Sequence, residues 1–298
     1  MATLSSILIG SYMRLGQLTV RTATGGSTST IVDSALAGAD DDWNDGAAFV
    51  IWDAGDAGAA PEGEMKRISD YTASSGTVAV ASAWSGTSAV GSGDTYGIST
   101  PEYPLHQMIR ACNEALRTLG PMPLVDTTTL DTATQQTEYT YSLAWKRNPP
   151  RSVWYQGRTG DANDNRWIEV KNWDYIPAAA GSTALLILPQ LVSARDIRVL
   201  YDGLHPSVND YNDTINELID QDLIISETVY HALQWSNARD GFTDRGKVQA
   251  LASAAVERDN AKARYPIWRP RRRRKINVID WDRYDLPEED QFDYPDPP

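Results

Sequence analysis

The chain has 298 residues, 41% of them hydrophobic and 22% charged, with a formal net charge of -13. That length and balance fit two packed domains or three small ones, so most of the chain is expected to be globular. The acidic surplus argues against nucleic acid as the main partner, because a binder needs a basic face to displace counterions.

The first ten residues lack the basic stretch of a signal peptide, and their apolar run is too short for one. No run approaches about 18 apolar residues, so no membrane partner is expected. Residues 1–20 fit either a short helix or a strand. Residues 21–100 are dominated by Gly, Ser, Thr, Ala and Asp. Strand-like runs occur at 28–33, 47–52, 64–71, 77–80 and 94–98, separated by Asp45-Gly46, Gly55 to Gly58, Ser75-Gly76 and Gly91 to Gly93. Short strands with this punctuation predict a small β-barrel or sandwich.

From Pro101 the pattern turns helical. Leu105, Met108, Ile109, Cys112, Leu116 and Leu119 recur at helical spacing, and Gly120-Pro121 is a stop signal. Cys112 is the only cysteine, which excludes an internal disulfide and a Cys-rich zinc site. On this helix it reads as a buried small hydrophobe. Residues 121–135 form a Pro/Thr-rich connection. Residues 136–203 look β again, with candidate strands at 137–141, 151–156, 166–170, 185–188 and 197–201. Trp154, Trp167 and Trp173 there suit core packing better than a stacking platform for sugars. Two helices follow. One, over 211–239, carries Ile215, Leu218, Ile219, Leu223, Val229 and Leu233, with Trp235 as hairpin packing. The other, over 244–263, carries Val248, Leu251, Ala252, Ala255 and Val256.

The expected fold class is α+β. An N-terminal β module (1–100) leads to a first bundle helix and linker (101–135), an inserted antiparallel β domain (136–206) and a helical hairpin (207–263). Residues 264–298 read as an extended C-terminal arm. Prolines 266, 270, 287, 295, 297 and 298 forbid a helix through it. Arg271-Arg272-Arg273-Arg274-Lys275 is followed by a run of acids from Asp280 to Asp296. Trp268, Ile276, Val278, Ile279, Trp281 and Phe292 give the arm apolar contacts that a plain solubility tail does not need. The economical reading is an arm that orders on a partner. A disordered tail with a nucleic-acid-attracting patch is the simpler alternative.

Catalytic and metal motifs are missing. His106, His205 and His231 are far apart in sequence, and no zinc-protease, serine-hydrolase, Walker or dinucleotide fingerprint is present. Calcium loops starting at Asp41 and Asp161 both fail: Trp52 and Asn172 stand where the twelfth-position glutamate is needed. Glu62 with Glu64, or Asp53 with Asp56, could be posed as a glycosidase pair, but proximity in a glycine-rich loop gives no cleft geometry. No catalytic, cofactor or metal site is expected.

Several stretches carry a resemblance. They are Gly25 to Ser34, Asp41 to Gly46, Pro61 to Glu64 with Arg67-Ile68, and Gly93 to Tyr96. Tyr103-Pro104-Leu105, Asn113 to Leu116, Gln136 to Tyr139 and Arg195 to Pro206 continue the series. Together they resemble virion structural proteins of tailed bacteriophages, over most of the chain and at the level of pattern. The architecture is similar to head-to-tail connector proteins, the neck adaptors: a helical bundle, a β-rich insertion and an extended arm. The resemblance implies a homo-oligomeric ring, usually of twelve copies, that joins the portal protein to tail or neck proteins. DNA passes through without specific binding. The location implied is the virion neck, and the host cytoplasm during assembly.

Residues carried over to the portal-docking arm are Tyr265, Trp268, Arg269, Arg271, Arg272, Arg273, Arg274 and Lys275, with Trp268 as an anchor. The arginines would meet portal carboxylates. Ile215, Leu218, Ile219, Leu223, Val248 and Leu251 would pack between copies in the ring. The large N-terminal β module departs from the minimal adaptor, which is mostly helical. It keeps open a tail or fibre-attachment subunit that binds host-surface glycans.

Overall fold

The computed structural model describes residues 2–55, 57–85, 89–126, 137–140, 150–157, 167–176, 185–191 and 195–267. It is α+β, with four helices and several antiparallel sheets. The first segment, open between helix and strand in the sequence, is helix α1 (Leu4–Arg14). Thr3 and Ser6 form a reciprocal capping box at its start, satisfying two amides that the helix leaves orphaned. The helix buries Leu4, Ile7, Leu8 and Tyr12.

Seven strands follow: β1 (Leu18–Thr22), β2 (Gly25–Ser27), β3 (Thr30–Val32), β4 (Ala47–Trp52), β5 (Met65–Thr72), β6 (Thr77–Val80) and β7 (Thr95–Ser99). They form one sheet in the order β1-β7-β4-β5-β6-β3-β2. A flat sheet of that width would hold its edges about 29 Å apart. Yet β1 and β2, the two edges, are joined by Ala23 and Thr24 alone, a span of roughly 11 Å. The sheet therefore curls. Ala23 N–H donates to Asp94 and Thr24 N–H to Val32, so the joining stretch bonds to both ends. Among the described residues no ladder joins β1 to β2, so the barrel half of the expected barrel or sandwich is corrected to an open, curled sheet.

Alternation along β4 places its two faces in two cores. Ala48 and Val50 face the inside of the curl, with Ile31, Ile68, Tyr71, Val78 and Tyr96. Ala47 and Phe49 face the helices, where the Phe49 ring meets Tyr12 edge-on at 5.7 Å. The N-terminal module is thus welded to the bundle through a strand buried on both sides.

Helix α2 (Leu105–Thr118) ends within a residue of the expected stop and starts a few residues after the switch at Pro101. Then come β8 (Met122–Asp126), β9 (Glu138–Thr140), β10 (Ser152–Gln156), β11 (Trp167–Glu169), β12 (Asp174–Ile176), β13 (Leu185–Ile187) and β14 (Ile197–Gly203). They form a four-stranded sheet, β11-β10-β14-β8, and a three-stranded sheet, β12-β13-β9. Strand β8 lies in what the sequence suggests is a linker. It pairs with β14, so the inserted domain reaches back to Met122. A separate core of Tyr139, Val153, Leu186, Ile197 and Val199 fills the insertion.

The chain ends in a hairpin of α3 (Gln221–Arg239) and α4 (Arg245–Arg264). Helix α3 starts ten residues later than the apolar spacing suggests. Residues 211–220 instead fold as a buttress. The Asp213 carboxylate accepts from the Asn209 and Asp210 amides, Thr214 bridges Thr3, and Ile215 N–H donates to Ala2. Helix α1 packs on α3 and joins the bundle as a member the sequence did not assign.

Candidate partner-binding surfaces

Helix α4 packs along α3 and is also tied to the molecule by polar contacts at three places. Near the hairpin turn, Lys247 lies 2.5 Å from Asp240 and 2.8 Å from Glu102. These two carboxylates hold the Lys247 ammonium above its usual range, and Lys247 with Arg239 holds Asp240 below the usual carboxylate range. Midway, the Arg258 guanidinium stacks 4.1 Å above the Tyr230 ring. Toward the end, Lys262 Nζ is 2.6 Å from Glu227 Oε1, and Glu227 is only 1% exposed. His231 sits one turn on from Glu227 at 3.8 Å. Burial pushes the His231 imidazolium below its ordinary range, more strongly than Glu227 and Glu114 raise it.

Only Ala254 and Ala261 of α4 are buried. Val248 is 40% and Val256 61% exposed, and Ala252 between them is exposed too. Their spacing of four places them on one outward stripe.

Residues expected between copies fall differently. Ile215, Ile219 and Leu223 are buried in the subunit's own core, Leu218 is half-buried, and Leu251 packs against that core. Val248 alone of the six is exposed. The reason is general: an apolar helical stripe is the same signal whether its partner is the same chain or another.

At the root of the arm, Tyr265 is half-buried, and its N–H donates to Ala261 as the cap of α4. Tyr265 and Ile267 both pack against the bundle core. Trp268, Arg269, Arg271 to Arg274 and Lys275 lie outside the described residues.

A second surface is a groove of about 540 Å³ between the inserted domain and the buttress. Leu124, Val125 and Tyr201 form one wall; His205, Ile215 and Glu217 line the other side. His205 Nε2 accepts the Asn216 N–H at 3.0 Å while its Nδ1 faces the Pro206 carbonyl at 2.7 Å. Val125 is 52% exposed, on a strand at the edge of its sheet. Residues 199–238 contain no Lys or Arg but carry Asp202, Asp210, Asp213, Glu217, Asp220, Asp222 and Glu227. The run was visible in the sequence as a charge asymmetry, but not its position beside an apolar groove.

A third surface corrects the expected packing of two tryptophans. Val153 and Val199 face the insertion core, so Trp154, Arg198 and Leu200 point to the other face by strand alternation. Trp167 joins them there, with the Arg198 guanidinium 3.9 Å over its ring. Trp173 packs on the core as expected.

The carboxylates posed as an acid–base pair are tied elsewhere. Glu62 accepts from the Asp53 and Gly58 amides, and Asp53 from Gly55. Glu64 is fully buried, accepts from Ser85 through its amide and hydroxyl, and has Lys66 at 3.4 Å. Asp56 lies outside the described residues. Burial pushes the Cys112 thiol up to about 12, which leaves it without thiolate at neutral pH. Among the described residues, no group of three or more His, Cys, Asp or Glu could hold a metal ion, and no helix is long and apolar enough to cross a membrane. No protein-family model and no curated protein matches the chain.

Proposed function

We propose that the protein is a non-enzymatic structural component of a tailed-phage virion, a neck adaptor that forms a ring between portal and tail. The observation that carries this reading is the outer helix of the hairpin. Helix α4 packs one side on α3, turns an apolar stripe outward, and is followed in sequence by a segment rich in arginine and aromatic residues. In a ring, that stripe would contact the neighbouring copy, and the arm from Tyr265 to Lys275 would reach the portal. The acidic net charge suits a channel lining, since it repels DNA phosphates and lets the duplex slide.

The test is co-sedimentation with portal rings from the same particle, for the full chain and for a chain ending at Arg264. Binding in a fixed ratio that is lost on truncation supports the adaptor. Absence of binding by the full chain refutes it.

Trp154 and Trp167, half-buried on the sheet face opposite the insertion core, favour a second reading, a tail or fibre-attachment subunit that binds glycans. Stacking of sugar rings there would quench tryptophan fluorescence in the full chain but not in a Trp154→Ala variant.

A further inference from the structure

The groove beside β8 and the C-terminal segment of the same chain are complementary in three respects, and their positions bring them together. The first respect is charge. Residues 268–279 carry Arg269, Arg271, Arg272, Arg273, Arg274 and Lys275 and no acid. Apart from Leu124 and Val125, the groove's lining lies in the 199–238 stretch, which holds no Lys or Arg, and Glu217 on its wall is exposed.

The second is pattern. Ile276-Asn277-Val278-Ile279 is β-prone and apolar. The groove offers Leu124, Val125 and Ile215 beside β8, which stands at the edge of its sheet among the described residues, the position where a further strand adds.

The third is reach. The hairpin is antiparallel, with Lys262 opposite Glu227 and Arg258 opposite Tyr230. Ile267 therefore ends beside the start of α3, next to the buttress that lines the groove. At about 3.3 Å per extended residue, Arg271 lies within roughly 13 Å of Ile267 and Ile279 within roughly 40 Å.

We infer that the segment Arg271–Ile279 docks in its own subunit's groove, its cations on Glu217 and Asp210 and its apolar end along β8. The docked arm is the free subunit's state, and a partner that takes the arm must first displace it. The docking does not depend on what that partner is. If the partner is the portal, the groove and the portal compete for the same arginines, which delays locking until both are present.

Zero-length carbodiimide cross-linking of the full chain tests this, because Lys275 is the one amine beyond Lys262. Lys275 is expected to link to Glu217, Asp210 or Asp213. Those links should fall at least fivefold in 0.5 M salt, as exposed ion pairs are screened. Mixing isotope-labelled and unlabelled chains should leave them within one chain. Links only to Asp280 through Asp296 overturn the inference, as do links mainly between chains.

A Glu217→Lys, Asp210→Lys double variant of the full chain gives an independent readout. Trypsin cleavage after Arg271 to Arg274 should speed up about tenfold; an unchanged rate overturns the docking. The neck reading is judged separately. Intrachain links that added portal rings do not diminish would leave the docking standing and count against the adaptor.

Discussion

Among single residues, the most consequential ion pair joins the ends of the curled sheet. Asp33, 2% exposed, receives Arg21 Nε at 2.5 Å, the Tyr96 hydroxyl at 2.8 Å and the Ala35 amide at 2.8 Å. Burial alone would raise its carboxyl, but the Arg21, Ala35 and Tyr96 bonds outweigh that and hold it below the usual carboxylate range. Removing one partner of a buried charge leaves the other uncompensated. Arg21→Met is therefore expected to cost about 2 kcal/mol, at the low side because Arg21 is partly exposed. Urea unfolding at pH 7 reads it. The sign with pH follows from the depressed value: Asp33 contributes fully above its unfolded value near about 3.9, and its contribution is lost as pH falls through the lower folded value. The gap between wild type and Arg21→Met should then close as pH falls below the ordinary carboxylate range. His231 acts in the opposite range. Its lowered folded value means that acidification below about pH 6.5 charges the unfolded chain first and destabilises the fold. Neither residue was legible in sequence, because Arg21 and Asp33 meet only once the strands pair.

At the scale of elements, the β5–β6 hairpin has a checkable hinge. Gly76 sits at φ +60, and a Cβ there would come 2.0 Å from the Asp33 carbonyl. An alanine must adopt a left-handed backbone and also push the β3 end away, so Gly76→Ala is expected to cost about 3 kcal/mol. A fall in the denaturation midpoint with an unchanged slope would check it. The Ser75-Gly76 turn was readable because turn chemistry is local. So were α2, five strands of the N-terminal sheet (β3 to β7) and the two hairpin helices, whose spacing is read within one element. The start of α3 was not, because Ile215, Leu218 and Ile219 keep helical spacing while the Ile215 amide donates to the Ala2 carbonyl and the Leu218 and Ile219 amides donate to Asn216. Strand β8 was hidden for a related reason. Its Pro123 and short length look like a linker, and only its pairing with β14 makes it a strand. The site surfaces were less legible than the fold. Helical periodicity marks an apolar face without saying which chain covers it, and strand alternation puts Trp154 opposite Val153 only after the core side is known.

For the whole molecule, the adaptor reading turns on whether copies with a formal charge of -13 come together. Under the adaptor reading, the outward stripe of Val248, Ala252 and Val256 on α4 is the contact. Small residues there allow close helix approach. Val256→Asp alters a residue that is 61% exposed, so the fold should lose no more than about 0.5 kcal/mol. In the same change a ring would acquire an unpaired charge at every subunit contact. Analytical ultracentrifugation should show wild-type chains associating and the variant staying monomeric at matched melting temperature. A variant that associates as wild type does would remove α4 from the interface. Salt separates the two surfaces further. Like-charged copies repel, so added salt should strengthen association through the apolar stripe, while it weakens the arginine arm's hold on its acidic groove. Raising salt in one titration should therefore drive assembly and arm release together, which is the order a ring needs if free arms are to find a partner once the ring has closed.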